Sequence, residues 1–270
     1  MNLGIIGGGA MGEAITAAVL KAGLAEAKSI QVADVAPNRL DFLRRTYGIA
    51  ATNSNAEAAA GADFLVLALK PQDFDKAAFQ ICDALGSASV TVSIMAGVTM
   101  PKIAKLLHTT AVVRAMPNTP AQIGEGMTVW TATQDVTPSG REGAQRIFAA
   151  LGREAFVLEE RYLDMATALS GSGPAYVFLF IEALIDAGVH IGLSRELATM
   201  MALQTVAGST RYAIETKRHP AELRNQVTSP GGTTAEALRA LEAGGLRSTV
   251  LEAVIAAFDR SRALGEGDAK

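Results

Sequence analysis

The chain has 270 residues, of which 49% are hydrophobic and 19% charged, so it has enough apolar material for a buried core and lacks the composition of a disordered protein. The 24 basic and 27 acidic residues give a net charge of −3 without a basic run, which argues against a surface for nucleic acid or for an acidic membrane. A single cysteine and three well-separated histidines indicate neither a disulfide framework nor a metal site.

Two apolar segments bear on where the protein resides. The first residues enter an apolar run without the basic start of a secretory signal, so we expect a cytoplasmic protein. Segment 175–193 approaches the length of a membrane span, but Glu182, Asp186 and His190 recur at every fourth position along it and line one face of a helix. Because charges inside a bilayer are costly, we interpret it as a helix of a soluble protein, buried on most sides.

The first half of the chain alternates short apolar runs with helical patterns. The runs predict strands at 3–6, 29–33, 64–69, 90–94, 112–115, 127–131 and 155–158. The segments between them predict helices at 11–21, 37–45, 72–85, 100–107 and 139–151. Nearly continuous apolar strands separated by helices indicate a parallel sheet covered on both faces. Residues 1–159 are therefore predicted to form a doubly wound α/β domain.

Strand signals stop after about residue 159. Helices are predicted at 162–169, 175–191, 195–216, 234–241 and 246–264, with Gly-rich breaks at 171–174 and 229–232. Residues 160–270 are therefore predicted to form a second, all-helical C-terminal domain. A unit of this size buries a smaller fraction of its surface than a large one, so we expect it to oligomerise through these helices.

A glycine-rich loop follows the first predicted strand and opens the first helix, which is the context of a Rossmann-type dinucleotide site. Gly7 permits the tight turn, Gly9 lets a pyrophosphate approach, and Gly12 lets helix and strand pack closely, while the helix N-terminus attracts negative charge. A glycine-rich turn without a ligand is the alternative. The predicted cofactor-binding residues of the loop are Gly7, Gly8, Gly9, Ala10, Met11 and Gly12.

Asp34 follows the second predicted strand, 22 residues after Gly12. A carboxylate there can accept hydrogen bonds from the ribose hydroxyls of NAD and would repel the 2′-phosphate of NADP. Asp34 therefore favours NAD. The alternative is an ordinary aspartate in a turn, with the nearby Arg39 available to bind a phosphate instead.

Further cofactor contacts are expected where other predicted strands end, since ligands of open α/β sheets bind at the carboxyl edge. Gly97 would allow a close approach to the nicotinamide, whereas Lys70 could equally be a solvated charge. The predicted contacts outside the glycine loop and Asp34 are Asn55, Ala68, Leu69, Lys70, Pro71, Ala96 and Gly97.

A second glycine loop lies in the helical half, just ahead of a predicted helix. Gly231 and Gly232 offer successive backbone N–H groups that form a cradle suited to a carboxylate. Ser229 and Thr234 flank it with hydroxyls that can donate to a carboxylate or to a ring nitrogen. A plainer interpretation is a capping box, in which Thr233 and the glutamate three residues later only cap the helix.

The segment 220–238 resembles the signature of the pyrroline-5-carboxylate reductase family. Five further segments resemble motifs of that family in the same order, so the resemblance extends over nearly the whole chain: 7–12, 68–71, 96–99, 116–120 and 169–176. It implies NAD(P)H-dependent reduction of 1-pyrroline-5-carboxylate to L-proline, the last step of proline biosynthesis, by hydride transfer to the C=N carbon.

The resemblance also implies site residues and partners. Ser229, Gly231, Gly232, Thr233 and Thr234 would hold the substrate, with the Thr234 hydroxyl near the imine nitrogen as the catalytic group. The domain junction would add Glu160 and Thr167, although a glutamate at the start of a helix is commonly only a favourable partner of the helix dipole. The helical domain would form a homodimer, and dimers would gather into a larger ring. The family commonly uses NADPH, which Asp34 does not favour.

Two other functions remain open at this stage. A β-hydroxyacid dehydrogenase pairs a similar nucleotide domain with a helical one, but it needs a proton donor, and the only lysines beyond Lys105 are Lys217 and Lys270. Tyr176 could replace the lysine, although a tyrosine on an apolar helix is more often part of a core. The third possibility is a non-catalytic dinucleotide sensor, for which the charge pattern marks no docking surface.

Overall fold

The computed structural model describes residues 1–266 and divides them into two compact units. The N-terminal unit consists of residues 1–172 together with the C-terminal segment that begins at Ala257, and the helical unit consists of Gly173–Ala256. The predicted domain boundary, between residues 159 and 160, was placed where the strand signals end. That the chain divides there into two independently folding domains stays a prediction.

Within residues 1–266, one eight-stranded sheet forms the centre of the N-terminal unit, in the order β3-β2-β1-β4-β5-β6-β7-β8. All neighbouring strands are parallel except β6 and β7, which confirms the predicted doubly wound α/β architecture. The strands are β1 (Leu3–Ile6), β2 (Ile30–Ala33), β3 (Ala50–Thr52), β4 (Phe64–Leu67), β5 (Val90–Ser93), β6 (Val112–Met116), β7 (Gly126–Ala132) and β8 (Gly152–Phe156).

Helices cover both faces of this sheet because successive strand side chains point to opposite faces. In β4, Phe64 and Val66 join one apolar cluster, whereas Leu65 and Leu67 join the other. The helices of the N-terminal unit are α1 (Ala10–Lys21), α2 (Pro37–Tyr47), α3 (Asn55–Ala59), α4 (Phe74–Ile81), α5 (Met100–Leu107), α6 (Pro138–Leu151) and α7 (Tyr162–Ala166).

Local signals set many of these helix starts. Ser54, Thr99 and Thr137 each accept a hydrogen bond from the backbone N–H three residues later, which satisfies one of the open donors of α3, α5 and α6. Proline stands in the first turn of α2, α5 and α6, where its missing N–H is not needed. A π-helical turn, Thr167–Gly171, follows α7.

The helical unit contains four whole helices and the first part of α12, which ends in the N-terminal unit. Ser194 caps α9 by accepting a hydrogen bond from Leu197 N at 3.2 Å. These helices are α8 (Gly173–His190), α9 (Arg195–Thr216), α10 (Pro220–Gln226), α11 (Thr233–Ala243) and α12 (Leu246–Glu266).

The expectation that the apolar helix after residue 175 is buried on most sides is wrong for the single chain. No residue of α8 is buried, and Phe178 and Leu179 remain 61% and 67% exposed. Residues Tyr162–His190 are also long and apolar enough to cross a membrane, which is weak evidence because helices of soluble proteins meet the same test. The amino-acid pattern indicates that the apolar surface of α8 is shielded from water, but it does not indicate which molecule covers that surface.

The sequence prediction missed short elements and one strand direction. The strand Ala50–Thr52 is only three residues long and lacks a distinct apolar run, and the helix Pro220–Gln226 lies between the predicted helices 195–216 and 234–241, where no element was predicted. The last strand begins at Gly152 rather than at residue 155. β7 runs antiparallel to β6, with only a short turn, Thr119–Ile123, between them and no full crossover helix.

Candidate functional site

The first glycine loop follows β1, and β1 and β4 are the neighbours between which the strand order reverses. Gly7 has φ +102°, and a Cβ on it would lie 2.5 Å from the carbonyl oxygen of Ala68. A Cβ on Gly12 would lie 2.0 Å from the carbonyl oxygen of Gly7, so this helix start packs against the loop only with glycine. Gly9, in contrast, precedes α1 and would have no atom within 4 Å of a Cβ. The loop therefore packs tightly against the protein at Gly7 and Gly12, and it leaves free space beside Gly9, where a pyrophosphate would approach.

The structure brings Asp34 directly to this loop. Its Oδ2 accepts a hydrogen bond from Gly8 N at 2.8 Å, and its Oδ1 accepts one from Ala36 N at 2.9 Å. Oδ2 thus holds the glycine loop after β1, and Oδ1 holds the turn after β2. Each oxygen also retains acceptor capacity for a ribose hydroxyl, because a carboxylate oxygen has two lone pairs.

Arg39, Glu13 and Tyr47 form a polar cluster beside the same loop that sequence analysis largely missed. Arg39 Nε donates to the carbonyl oxygen of Gly8, and its Nη2 bonds Glu13 Oε2. Glu13 Oε1 accepts a hydrogen bond from the Tyr47 hydroxyl at 2.8 Å. Glu13 and Arg39 stand 26 residues apart, so no local sequence signal connects them.

This cluster changes the acidity of two of its members. Burial alone would raise the pKa of Glu13, but the hydrogen bonds from Arg39 and Tyr47 outweigh it and lower that pKa. Burial and the hydrogen bond to Glu13 raise the pKa of Tyr47 to about 12. Near neutral pH, Glu13 is therefore ionised and Tyr47 protonated.

The other predicted cofactor contacts lie at the expected edge of the sheet but differ in their surroundings. Ala68 N donates to Ile6 O at 2.8 Å and extends the pairing of β1 and β4, while Lys70 is exposed. Asn55 begins α3, and its Nδ2 donates to Gln80 Oε1 at 2.7 Å. Their contact with a cofactor stays a prediction.

Gly97 is buried by the C-terminal helix. It has φ +74°, and a Cβ on it would lie 2.9 Å from Cβ of Leu264, in the last turns of α12. Glycine is thus required here both by the backbone conformation and by a protein neighbour. This neighbour was not expected from the sequence, and a nicotinamide contact of Gly97 stays a prediction.

Glu160 and Thr167 make contacts within the N-terminal unit. Glu160 Oε1 accepts hydrogen bonds from Met100 N at 2.7 Å and from Arg114 Nη1 at 2.8 Å. Thr167 Oγ1 donates to Leu163 O at 2.7 Å, within its own helical segment. These bonds neither require nor preclude a further contact with substrate, which stays a prediction for both residues.

The second glycine loop lies in the helical unit. Gly231 has φ +69°, and Gly232 N donates to Ser229 O at 3.0 Å, which closes a tight turn before α11. A Cβ on Gly232 would lie 2.3 Å from Ser229 Oγ, so any larger residue there would force the Ser229 hydroxyl to move. Ser229 and Thr233 are exposed, and Thr234 is half-buried.

The capping-box interpretation of this loop is wrong. Gly232, which has no side chain, is the N-cap of α11, and Thr233 is already its first residue. Glu236 pairs with Arg239 at 2.9 Å instead of reaching back to the helix start. The first backbone N–H groups of α11 therefore point toward any anion that enters the loop, and the helix dipole favours it.

Metal-ligand side chains are not grouped in the described part of the chain: residues 1–266 contain no cluster of three or more His, Cys, Asp or Glu suited to a metal ion.

Both halves of the chain match known families. Residues 160–264 match the model for pyrroline-5-carboxylate reductase dimerisation, and residues 2–97 match that for NADP oxidoreductase, coenzyme F420-dependent. The pyrroline-5-carboxylate reductase of Synechocystis sp. is 44% identical over 268 residues, covering 98% of this chain and 99% of the relative.

Two solved structures are similar over the same length. The pyrroline-5-carboxylate reductase of Coxiella burnetii has a TM-score of 0.88 and 38% identity, and the match covers 97% of this chain and 98% of that one. The pyrroline carboxylate reductase of Plasmodium falciparum, solved with NADP bound, has a TM-score of 0.90 and 33% identity and covers 98% of each chain. Both glycine loops lie within the residue ranges that the two family models match.

Proposed function

The chain belongs to the pyrroline-5-carboxylate reductase family, and we propose on that basis that it reduces 1-pyrroline-5-carboxylate to L-proline with NAD(P)H. It is an oxidoreductase with a nucleotide-binding N-terminal unit. The observation that carries the substrate assignment is the start of α11, where a side-chain-free N-cap leaves backbone donors for a carboxylate. We propose a cytoplasmic location, as for a soluble biosynthetic enzyme.

The first glycine loop fits a dinucleotide. Gly9 leaves open space at the N-terminus of α1, and the pyrophosphate would bind the backbone N–H groups there. A reduced nicotinamide supplies a hydride when it is bound. Between the two coenzymes, Asp34 supports NADH, because its carboxylate, bonded to Gly8 N of the glycine loop, would accept a ribose 2′-hydroxyl and repel a 2′-phosphate. The remaining proposed contacts are Asn55, Ala68, Leu69, Lys70, Pro71, Ala96 and Gly97.

The second glycine loop supplies the substrate contacts. The carboxylate would accept hydrogen bonds from the backbone N–H groups of Thr233 and Thr234, in the first turn of α11, and from the Ser229 hydroxyl. The positive φ of Gly231 holds the turn that aims these donors to one side. Thr234, in the first turn of α11, would then place its hydroxyl at the ring nitrogen.

Reduction of an iminium requires little acid catalysis. Hydride forms the new C–H bond at the C=N carbon, the π electrons pass to nitrogen, and the cationic iminium becomes a neutral amine. No alkoxide develops, so a lysine or histidine donor is not required, in contrast to the reduction of a carbonyl. Correct positioning of the two reacting carbons supplies much of the acceleration. Thr234 would orient the nitrogen or donate its proton when the unprotonated imine reacts.

The protein forms an oligomer, as its dimerisation region indicates. We propose a homodimer built through the helical unit, because the apolar side chains of α8 are exposed in the single chain. A larger ring of dimers follows from the family resemblance alone.

The direct test mixes the purified protein with NADH or NADPH and synthetic pyrroline-5-carboxylate. We expect loss of the reduced-coenzyme absorbance together with formation of L-proline, identified by mass spectrometry. A matched reaction with a β-hydroxyacid and oxidised coenzyme examines the dehydrogenase alternative, for which α8 offers no lysine. Turnover of the hydroxyacid in the absence of proline formation would overturn the proposal.

A crystal structure with a coenzyme and a non-reactive proline analogue tests the site residues. Hydride transfer requires the nicotinamide C4 to touch the imine carbon. We expect the analogue carboxylate on the N–H groups within the first turn of α11. Its location elsewhere would contradict the substrate contacts named above while leaving the reductase activity itself open to the assay.

A further inference from the structure

We propose that Glu13 is a coenzyme-specificity residue, which holds the Arg39 guanidinium on α1 and so keeps it from binding the 2′-phosphate of NADPH. This inference rests on the proposed function only in that the first glycine loop binds a dinucleotide. It concerns discrimination between the two coenzymes and not the identity of the reduced substrate.

Asp34 and Arg39 both bind the backbone of one residue of the glycine loop, Gly8. Asp34 accepts the hydrogen bond from Gly8 N, and Arg39 Nε donates to Gly8 O. The acid after the second strand marks the ribose end of a Rossmann site, and an arginine nearby is the group that accommodates a 2′-phosphate. Arg39 therefore lies where it could bind that phosphate if its guanidinium were available.

Glu13 keeps the Arg39 guanidinium from binding a 2′-phosphate. It accepts a hydrogen bond from Nη2, one of the two terminal guanidinium nitrogens of Arg39, while Nε donates to Gly8 O. The Phe42 ring lies 4.8 Å from the guanidinium carbon, which adds a cation–π contact on the flat side of the group. The side chains of Arg39 and Glu13 are 25% and 27% exposed, so solvent screens the pair less than a surface ion pair.

Tyr47 in turn holds Glu13. Its hydroxyl donates to the second carboxylate oxygen at 2.8 Å, which orients the carboxylate toward Arg39. The lowered pKa of Glu13 keeps the pair charged at neutral pH. Two features thus act against NADPH: Asp34 would repel the 2′-phosphate, and Glu13 would keep Arg39 from compensating for that repulsion.

The test uses nucleotides that lack nicotinamide, so its result does not depend on turnover. Binding of adenosine 2′,5′-bisphosphate and of adenosine 5′-monophosphate is measured by titration calorimetry on the full-length protein and on Glu13→Gln. We expect Glu13→Gln to bind the bisphosphate about tenfold more tightly, with a much smaller change for the monophosphate. Adding Arg39→Gln to Glu13→Gln should abolish the gain. A monophosphate that gains as much as the bisphosphate would contradict the proposal.

Asp41→Asn is the matched control. It removes one acidic charge from the same region and breaks the 2.9 Å ion pair of Asp41 with Arg44 on the exposed face of α2, while Arg44 Nη2 keeps its bond to Ala51 O. An unchanged bisphosphate affinity in Asp41→Asn separates the release of Arg39 from a general change of charge. Equal gains in the two variants, or no gain in Glu13→Gln, would overturn the proposal. If the glutamine variant unfolds, Glu13→Met of similar length takes its place.

Steady-state kinetics provide a second readout. The ratio of kcat/KM for NADPH to that for NADH should rise about tenfold in Glu13→Gln and stay unchanged in Asp41→Asn. Loss of reductase activity in every protein, with the binding results intact, would count against the proposed function and leave the specificity inference standing.

Discussion

Arg114 Nη1 donates a 2.8 Å hydrogen bond to Oε1 of Glu160, and the arginine side chain is only 2% exposed. The same carboxylate oxygen accepts the hydrogen bond from Met100 N at the start of α5. Asp164 places a second carboxylate 3.8 Å from Arg114 Nη2 and accepts a hydrogen bond from Ser261 in α12. One buried cation therefore joins β6, α5, α7 and the end of α12.

Removing Glu160 should unfold the protein more easily. Glu160→Ala leaves the buried Arg114 guanidinium with the longer, 3.8 Å contact to Asp164 in place of its 2.8 Å ion pair, and we expect a loss of about 3 kcal/mol in the free energy of unfolding. Ser261→Ala, which removes the hydroxyl that donates to the Asp164 carboxylate, should cost about 1.5 kcal/mol. Urea denaturation measures both. Unchanged stability in Glu160→Ala, with KM for the imine strongly raised, would support a substrate contact instead.

The Thr234 hydroxyl should contribute to the chemical step. Thr234→Ala is expected to lower kcat about 100-fold, because the ring nitrogen loses the group that orients or protonates it. Thr234→Ser keeps a hydroxyl and should retain most of the rate, and Thr233→Val serves as a neighbouring control on the same helical turn. A turnover rate of Thr234→Ala equal to that of the unmodified protein would remove Thr234 from the mechanism.

Asp34 should make NADH the preferred coenzyme. In Asp34→Ser we expect kcat/KM for NADH to fall about tenfold, because ribose loses a charged acceptor. The value of kcat/KM for NADPH should fall less, because the repulsion of its 2′-phosphate is relieved. Gly8 N and Ala36 N lose their hydrogen-bond acceptor whichever coenzyme is bound. Steady-state kinetics with each coenzyme measure this. A strong NADPH preference of the unmodified protein would refute the interpretation of Asp34.

A charge on the exposed face of α8 should dissociate the oligomer. Leu179 is 67% exposed in the single chain, and Leu179→Glu would place an unpaired charge in an apolar interface. We expect smaller particles in sedimentation velocity. Leu158→Glu, at a position that is 87% exposed in the N-terminal unit, is the matched control and should leave the oligomer intact. Identical sedimentation of Leu179→Glu and the unmodified protein would exclude this face from the interface.

The Glu13 and Tyr47 pair should leave opposite signatures in stability measured against pH. The lowered pKa of Glu13 means that its contribution is present above its ordinary value of 4.5 and lost as the pH falls through the lowered value. The raised pKa of Tyr47 means that its contribution is present below 10 and lost as the pH rises toward about 12. The stability difference from Glu13→Gln should therefore shrink in acid, and that from Tyr47→Phe in alkali. A pH-independent difference in either comparison would contradict the corresponding bond.

Most elements of the fold could be predicted because their causes are local. The apolar run Phe64–Leu67 predicts a buried strand whatever its neighbours are, and Pro37 predicts a helix start because its ring fixes its own backbone. The two glycine loops were recognised for the same reason, since a tight turn and an open helix start are properties of a few consecutive residues. The strand Ala50–Thr52 was missed because three small residues carry no such signal.

The amino-acid sequence by itself determined the doubly wound sheet, the helical second half and the two candidate binding loops. Only the tertiary structure decided which charges meet: Glu13 with Arg39 across 26 residues, and Arg114 with Glu160 across 46. It also placed Leu264 on Gly97 and left α8 exposed in the single chain. The physical reason is that side-chain period, caps and turns depend on neighbours along the chain, whereas ion pairs and close backbone contacts depend on where distant elements pack.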